Sequence, residues 1–393
     1  MKKFILALVA CLMLFCLTAC GSGDEEFKLG VILLHDEAST YDLNFLNAVN
    51  AAAKELGLSE SQVIIKRNIP ESIKCKEAAD ELVDAGCKVV FADSFGHETY
   101  LLEAAKAHKN VQFCHATGTM AHTEKLDNFH NAFASIYEGR YLAGVAAGLK
   151  LQEMMAKDST VVPKIGYVGA FTYAEVISGY TSFYLGVKSI VPEVKMDVQF
   201  TGSWYDETEE KNAAAALIDN GCVLISQHAD SMGAPSICEE RNVPNVAYNG
   251  STATACPNTF IVSSSINWAP YFKYIVTCSK ENKPIDTDWV GTIATGSVVL
   301  TDVNTKAAAA GTVEKLEAVK ADLVSGKVKV FDINTFTSAG AKLTEFMADV
   351  DTDAAYTPDT QVIKDGYFSE STFRSAPYFN VEVDGITMLN AKY

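Results

Sequence analysis

The sequence predicts an α/β protein of two lobes, each a parallel sheet flanked by helices, with a cleft between them. Three observations carry that expectation. Apolar runs of strand length alternate with segments of helical period from residue 27 onward. The alternation restarts near residue 164 after one long helix, giving two successive units of about 110 residues each. The residues just past the strands are aromatic or neutral-polar rather than cationic.

The chain opens with a segment that stands apart from the fold. Lys2 and Lys3 precede Phe4 to Leu17, an unbroken apolar run of 14 residues. That is short for a bilayer span and right for the core of a signal peptide. The run ends in Leu17-Thr18-Ala19-Cys20, then Gly21. Small residues before a Cys at this point predict a bacterial lipobox, with cleavage after residue 19 and acylation of Cys20. Residues 20–26 then form a lipid-anchored polar tether on a membrane surface.

Phe27 to Leu34 predicts the first strand. Phe45, Val49, Ala52, Ala53 and Leu56 recur at helical spacing, and Gly57 closes that helix. Val63 to Ile65, Val89 to Ala92 and Val111 to Phe113 are the next strands, separated by helices that hold Ala78 to Val83 and Tyr100 to Ala107. The long helix runs from about Tyr137 to Met155. Strands at Lys164 to Val168, Val198 to Thr201, Val223 to Ser226 and Asn245 to Ala247 follow, with helices near 175–190, 207–220 and around Ile237. Val313, Leu316, Val319 and Leu323 mark a later helix stopped at Gly326. Residues 27–134 plus about 267–290 are expected to form one lobe and 135–266 the other. Residues 291–393 are a crossover and extension whose lobe the pattern leaves open.

Composition narrows the function. The chain has 393 residues, 48% hydrophobic, with a formal charge of −17. Without Lys2 and Lys3 the balance is 30 basic residues against 49 acidic, or −19. Nucleic-acid binding depends on neutralising phosphates with Lys and Arg, so this balance argues against it. Seven cysteines follow Cys20, an odd number with no CxxC pair, and several sit in strand-like runs where a buried thiol is expected. His115, His122 and His130 do not match a zinc spacing. No nucleophile elbow, Walker loop, HExxH or strand-linked GxGxxG occurs. His228, Asp230 and Ser231 invite a triad, yet neighbours at one strand end need not meet, and no oxyanion loop accompanies them. Neither catalysis, a metal nor a cofactor is expected.

In open parallel sheets a ligand sits beyond the carboxyl ends of the strands. Those positions hold Tyr41; Ser94 and Phe95; Phe171 and Tyr173; Trp204 and Tyr205; Asp230 and Ser231; Asn249; Asn267 and Trp268. Aromatic faces with a few hydrogen-bonding groups suit a flat, uncharged ligand with polar edges, a purine or pyrimidine foremost and a sugar next. Each candidate also has a plain structural reading: Tyr41 as helix core, Phe171 and Trp204 as hinge packing, Phe95 as a cover for the sheet. Trp268 could be a wedge, Asn249 a turn residue and Asp230 a helix cap. Glu138 and Arg140 read as a charge pair at the start of the long helix.

Several stretches also resemble a known family. Phe91-Ala92-Asp93-Ser94-Phe95-Gly96-His97, Tyr137 to Gly144, Gly166 to Phe171, Gly202 to Asp206 and Ile266 to Tyr271 are similar, in that order, to the basic membrane protein family of lipoproteins. The resemblance spans about residues 28–280 and implies a type I periplasmic-binding-protein fold serving an ABC importer, with purine bases or nucleosides as ligands. It implies that Tyr41, in Ser39-Thr40-Tyr41-Asp42, takes the place of the family's first stacking aromatic, and Trp204 that of the second. The family's nucleoside-associated lysine is replaced near Trp268, which moves the expectation toward a free base. Strand ends and resemblance together give an expected ligand set of Tyr41, Ser94, Phe95, Phe171, Trp204, Asp230, Asn249 and Trp268; a monomer is expected, and the resemblance adds an ABC permease as its partner. A lipoprotein that senses ligand for a membrane receptor is the alternative; a nucleoside-processing enzyme is a more distant one.

Overall fold

The computed structural model describes residues 26–350, 353 and 355–391, so the leader and Cys20 lie outside it. The first lobe is a six-stranded sheet. In chain order its strands are β1 (Leu29–Ile32), β2 (Val63–Lys66), β3 (Val89–Ala92), β4 (Gln112–Ala116), β5 (Phe129–Ala134) and, much later, β11 (Asp288–Gly291). Their spatial order is β11-β5-β4-β3-β1-β2, all parallel. The longer helices between them are α1 (Thr40–Leu56), α2 (Ile73–Asp84) and α3 (Glu98–Ala107), and a single turn, Ala121–Glu124, precedes β5.

The second lobe repeats the plan. Helix α4 (Ile136–Lys157) leads to β6 (Lys164–Gly169), α5 (Ala174–Lys188), β7 (Lys195–Phe200), α6 (Glu207–Asp219), β8 (Ile225–His228), α7 (Gly233–Arg241), β9 (Asn245–Tyr248) and β10 (Phe260–Ile266). The order β7-β6-β8-β9-β10 copies β2-β1-β3-β4-β5 of the first lobe. Helix α8 (Ala269–Lys280) then returns to pack on α1 of the first lobe. After β11 the chain crosses again to β12 (Val298–Leu300), antiparallel to β10, and α9 (Thr312–Val324) packs on α4.

The C-terminal stretch joins the second sheet at its far edge. Strand β13 (Ile386–Met388) runs parallel to β7, and the Asn390 amide accepts from the Phe200 N–H and donates to its carbonyl, both at 2.8 Å. On the way it touches the first lobe, where the Ser375 N–H donates to Asp288 at 2.7 Å.

Local chemistry fixes the elements that matter for the cleft. Ser39 caps α1 by accepting the Asp42 N–H, and Gly57 ends that helix at φ 67°. Asp206 caps α6 through the Glu209 N–H. Helices α4 and α5 meet backbone to backbone: a Cβ on Gly144 would stand 2.1 Å from the Phe183 carbonyl oxygen, and one on Gly186 2.2 Å from that of Tyr141. All seven described cysteines are buried free thiols.

Candidate functional site

The repeated strand order places a switch point in each lobe, β1 beside β3 and β6 beside β8, with carboxyl ends facing one cleft. A cavity lies there. Leu34, His35, Tyr41 and Asp42 enter it after β1, Ser94 and Phe95 after β3, and Thr117 after β4. From the second lobe come Glu175 on the first turn of α5, Trp204 after β7, His228 and Asp230 at the end of β8, and Tyr248 at the end of β9. No Lys or Arg lines it. The lobes meet around it: Thr40 donates from its N–H (3.1 Å) and its hydroxyl (3.2 Å) to the Asp230 carbonyl. Phe95 lies 5.3 Å from Tyr173, and His35 5.5 Å from Tyr205, across the cleft.

Three carboxylates share this small volume. Asp42 accepts the His35 N–H at 2.8 Å; burial works to raise its carboxyl, but bonds from His35 and Ser39 prevail and hold it below the usual range. Burial raises Asp230 well above that range, helped by the charges of Glu210, Asp42 and Glu175. Burial lifts Glu175 to about 7 against the pull of Arg140. Behind it a buried polar chain leads inward. Arg140 donates to the Tyr167 hydroxyl and the Gln227 carbonyl and lies 4.3 Å above the Tyr248 ring. The Tyr167 hydroxyl lies 3.4 Å from His228 Nδ1, and His228 Nε2 lies 3.5 Å from Glu175. Burial and Arg140 push His228 well below its usual value, so its ring is neutral. Several polar atoms around the cavity have no hydrogen-bond partner among the described residues: Asp42 Oδ2, Thr117 Oγ1, His228 Nε2 and the Tyr248 hydroxyl. Such groups are costly unless something else satisfies them.

Residues 30–333 match the family described as ABC transporter substrate-binding protein, PnrA-like. The chain belongs to this family. PnrA-like proteins bind substrate for a transporter; they are not enzymes. A purine-binding protein of Brucella abortus is 30% identical over 66% of this chain and 70% of its own length. A provisionally named ABC transporter glucose-binding protein of Haloferax volcanii is 31% identical over 47% of this chain and 44% of its own. An ABC transporter nucleoside-binding protein of Lactococcus lactis is 29% identical over 38% and 39%. Among solved structures, a solute-binding protein of an ABC transporter system from Aeropyrum pernix superposes with a TM-score of 0.66 at 16% identity, over 78% of this chain and 93% of its own. That likeness establishes the α/β periplasmic-binding fold of type I.

In this PnrA-like protein the expected residues fall into two groups. Tyr41, Ser94, Phe95, Trp204 and Asp230 line the cavity. Phe171, Asn249 and Trp268 do not. Trp268 is 1% exposed and stacks on Phe45 (4.6 Å, 26°), whose ring meets the edge of Tyr41 (4.9 Å, 71°), so it supports the cavity wall from the core. Phe171 stacks on Tyr173 (5.0 Å) and meets Trp204 edge-on (5.0 Å), behind the lining. Asn249 is buried at φ 61° and donates its N–H to Ser264. Ser94 lines the cavity with its hydroxyl already donated to Glu71 at 2.6 Å.

Two further readings change. Glu138 does not pair with Arg140: it accepts the Ile293 N–H at the crossover, while Arg140 lies beneath the cavity. Asp230 does not cap the next helix, which starts at Gly233 after Met232, and Ser231 Oγ accepts the Gly233 N–H instead of facing His228. The residues missed are His35, Asp42, Thr117, Glu175, His228 and Tyr248. His228 and Tyr248 are final strand residues, and including the last position of each strand finds both. Glu175 reads in sequence as an acidic residue compensating a helix dipole, which conceals it.

Proposed function

We propose that this PnrA-like protein captures a purine base or nucleoside outside the cytoplasm and presents it to an ABC permease. Closure of its two lobes traps the ligand, and a lipid on Cys20 holds the protein to the membrane. The observation that carries the reading is the cavity wall: Tyr41 and Phe95 from one lobe stand opposite Trp204 and Tyr248 from the other, polar groups at the rim lack partners, and no cation lines it. Rings from two sides suit a flat heterocycle, each stack contributing on the order of 1–3 kcal/mol. The absence of Lys and Arg from the lining disfavours phosphorylated ligands. The purine-binding relative points the same way.

Thermal denaturation with adenine, guanine, hypoxanthine, their nucleosides, pyrimidines, pentoses and hexoses tests this. A ligand at a hundred times Kd adds about 2.7 kcal/mol, which raises the midpoint by a few degrees. Purines are expected to do so. A response to hexoses alone, the direction in which the Haloferax relative's name points, overturns the purine reading.

A further inference from the structure

We infer that Glu71, which does not line the cavity, is a positioning residue that holds the Phe95 ring against the ligand. The inference rests on the proposed stacking of Phe95 on a bound base and deepens it.

Phe95 opens a single 3-10 turn, Phe95–His97, after β3, and it is 40% exposed. Among the described residues its aromatic neighbour is Tyr173 of the other lobe, which braces it only while the lobes face each other. A ring so placed depends on how its backbone is held from behind. Glu71 holds it at one atom. Its Oε1 accepts the Ser94 hydroxyl at 2.6 Å and the Gly96 N–H at 2.8 Å, so the residues on both sides of Phe95 are tied to a single oxygen. The approach is close: a Cβ on Gly96 would stand 2.5 Å from the carboxyl carbon of Glu71. The His97 ring adds a third tie. Burial lowers His97 to about 4, so its ring is neutral, and its Nε2 donates to the Ile69 carbonyl at 2.8 Å.

The segment that carries Glu71 is itself tied to the other loop of this wall. The Asn68 N–H donates to the His35 carbonyl and the Ile69 N–H to the Leu33 carbonyl, both at 3.0 Å. His35, like Phe95, lines the cavity and faces an aromatic residue of the second lobe. Residues 68–71 thus stand behind two loops of the cavity without entering it. Glu71 can be changed there without disturbing the core, since it is exposed whereas His97 is fully buried. Glutamine in its place keeps a carbonyl oxygen that can accept both bonds; alanine keeps neither.

Calorimetry with adenine, guanine, hypoxanthine, their nucleosides and glucose tests this on wild type, Glu71→Gln, Glu71→Ala, Phe95→Ala and the double variant Glu71→Ala/Phe95→Ala. Purines are expected to bind Glu71→Ala about fivefold more weakly than wild type. They are expected to bind Phe95→Ala about tenfold more weakly. Glu71→Gln is expected to restore binding to within about twofold of wild type, because both bonds keep their acceptor. The double variant is expected to bind no more weakly than Phe95→Ala, since Glu71 then has no ring to place. Losses that multiply in the double variant overturn the inference, and so does an unchanged affinity in Glu71→Ala or in Phe95→Ala. Glu71→Gln as weak as Glu71→Ala overturns it too. All of these leave the purine reading in place. Binding of glucose and of no purine overturns that reading alone, and the glucose affinities of the same variants then decide the role of Glu71 by the same criteria.

Discussion

Trp204 carries the widest ring on the cavity wall, and its surroundings hold it still. Phe171 meets it edge-on and Tyr173 lies 6.0 Å away, so the indole is braced before any ligand arrives. Stacking barely distinguishes one base from another. Trp204→Ala is therefore expected to weaken every purine by similar factors, about tenfold or more, in calorimetric titrations. Asp230→Ala is expected to reorder the purines instead, because it removes a buried polar group, raised well above the usual carboxylate range, that can both donate to and accept from the edge of a base. An unchanged order would remove Asp230 from recognition. At this scale the sequence was legible where side chains advertise themselves: Tyr41, Phe95 and Trp204 stand past strand ends and are aromatic. It was least legible for charge. Asp42 and Glu175 sit in the first turns of helices, where acids are ordinary, and only the folded chain brings them to one cavity.

Among the elements, the alternating pattern located eight strands, and two of those it passed over share one property. Strand β5 contains His130 and Asn131, and β10 contains Ser263, Ser264 and Ser265, all buried. Their polar residues broke the apolar runs, although backbone ladders and local hydrogen bonds satisfy them, as when Asn131 accepts the Ala121 N–H at 2.8 Å. The extension after residue 326 has no period to read. It packs through single contacts, of which Glu370 is the most consequential. That carboxyl lies fully buried and accepts the Tyr378 N–H at 3.2 Å. Burial lifts it to about 7, against bonds from Ser178 and Tyr378 and the charge of Arg374. Between 4.5 and about 7 the folded chain thus holds a proton that the unfolded chain has released. The contribution of Glu370 to stability is present below that window and is lost as pH rises through it. Glu370→Gln has no such proton. Its stability relative to wild type is expected to rise on the order of 1–3 kcal/mol between pH 4.5 and 7 in urea titrations. A flat difference would mean that the carboxyl stays ionised.

For the whole molecule the decisive property is that the lobes touch. Thr40 bonds to the Asp230 carbonyl only when the sheets face each other, and it reaches that oxygen with both N–H and hydroxyl. Thr40→Val removes one of the two bonds, which costs the closed arrangement about 1 kcal/mol. Where the free protein is mainly open, every ligand is expected to weaken by the same factor, about fivefold, with the ranking intact. A changed ranking would place Thr40 against the ligand. Membrane attachment is a separate matter. Cys20→Ala is expected to move the protein from the membrane fraction to the soluble one without altering its calorimetric affinities, since Cys20 precedes both lobes in the chain. Retention in the membrane fraction would reject the lipobox. The twofold plan was plain from the restart of the strand rhythm. The edges were not: β12 and β13 are three residues each, too short to leave a pattern.

The glycine contact between α4 and α5 bears on how recognition can work. With Gly144 and Gly186 leaving no room for even a methyl group, the two helices have no soft layer through which to slide. Glu175 stands at the head of one and Arg140 near the head of the other. The distance between acid and cation is thus built in before a ligand arrives. Glu175 cannot reach forward on its own backbone to meet a poorly fitting guest; it advances only as far as the entire second lobe advances.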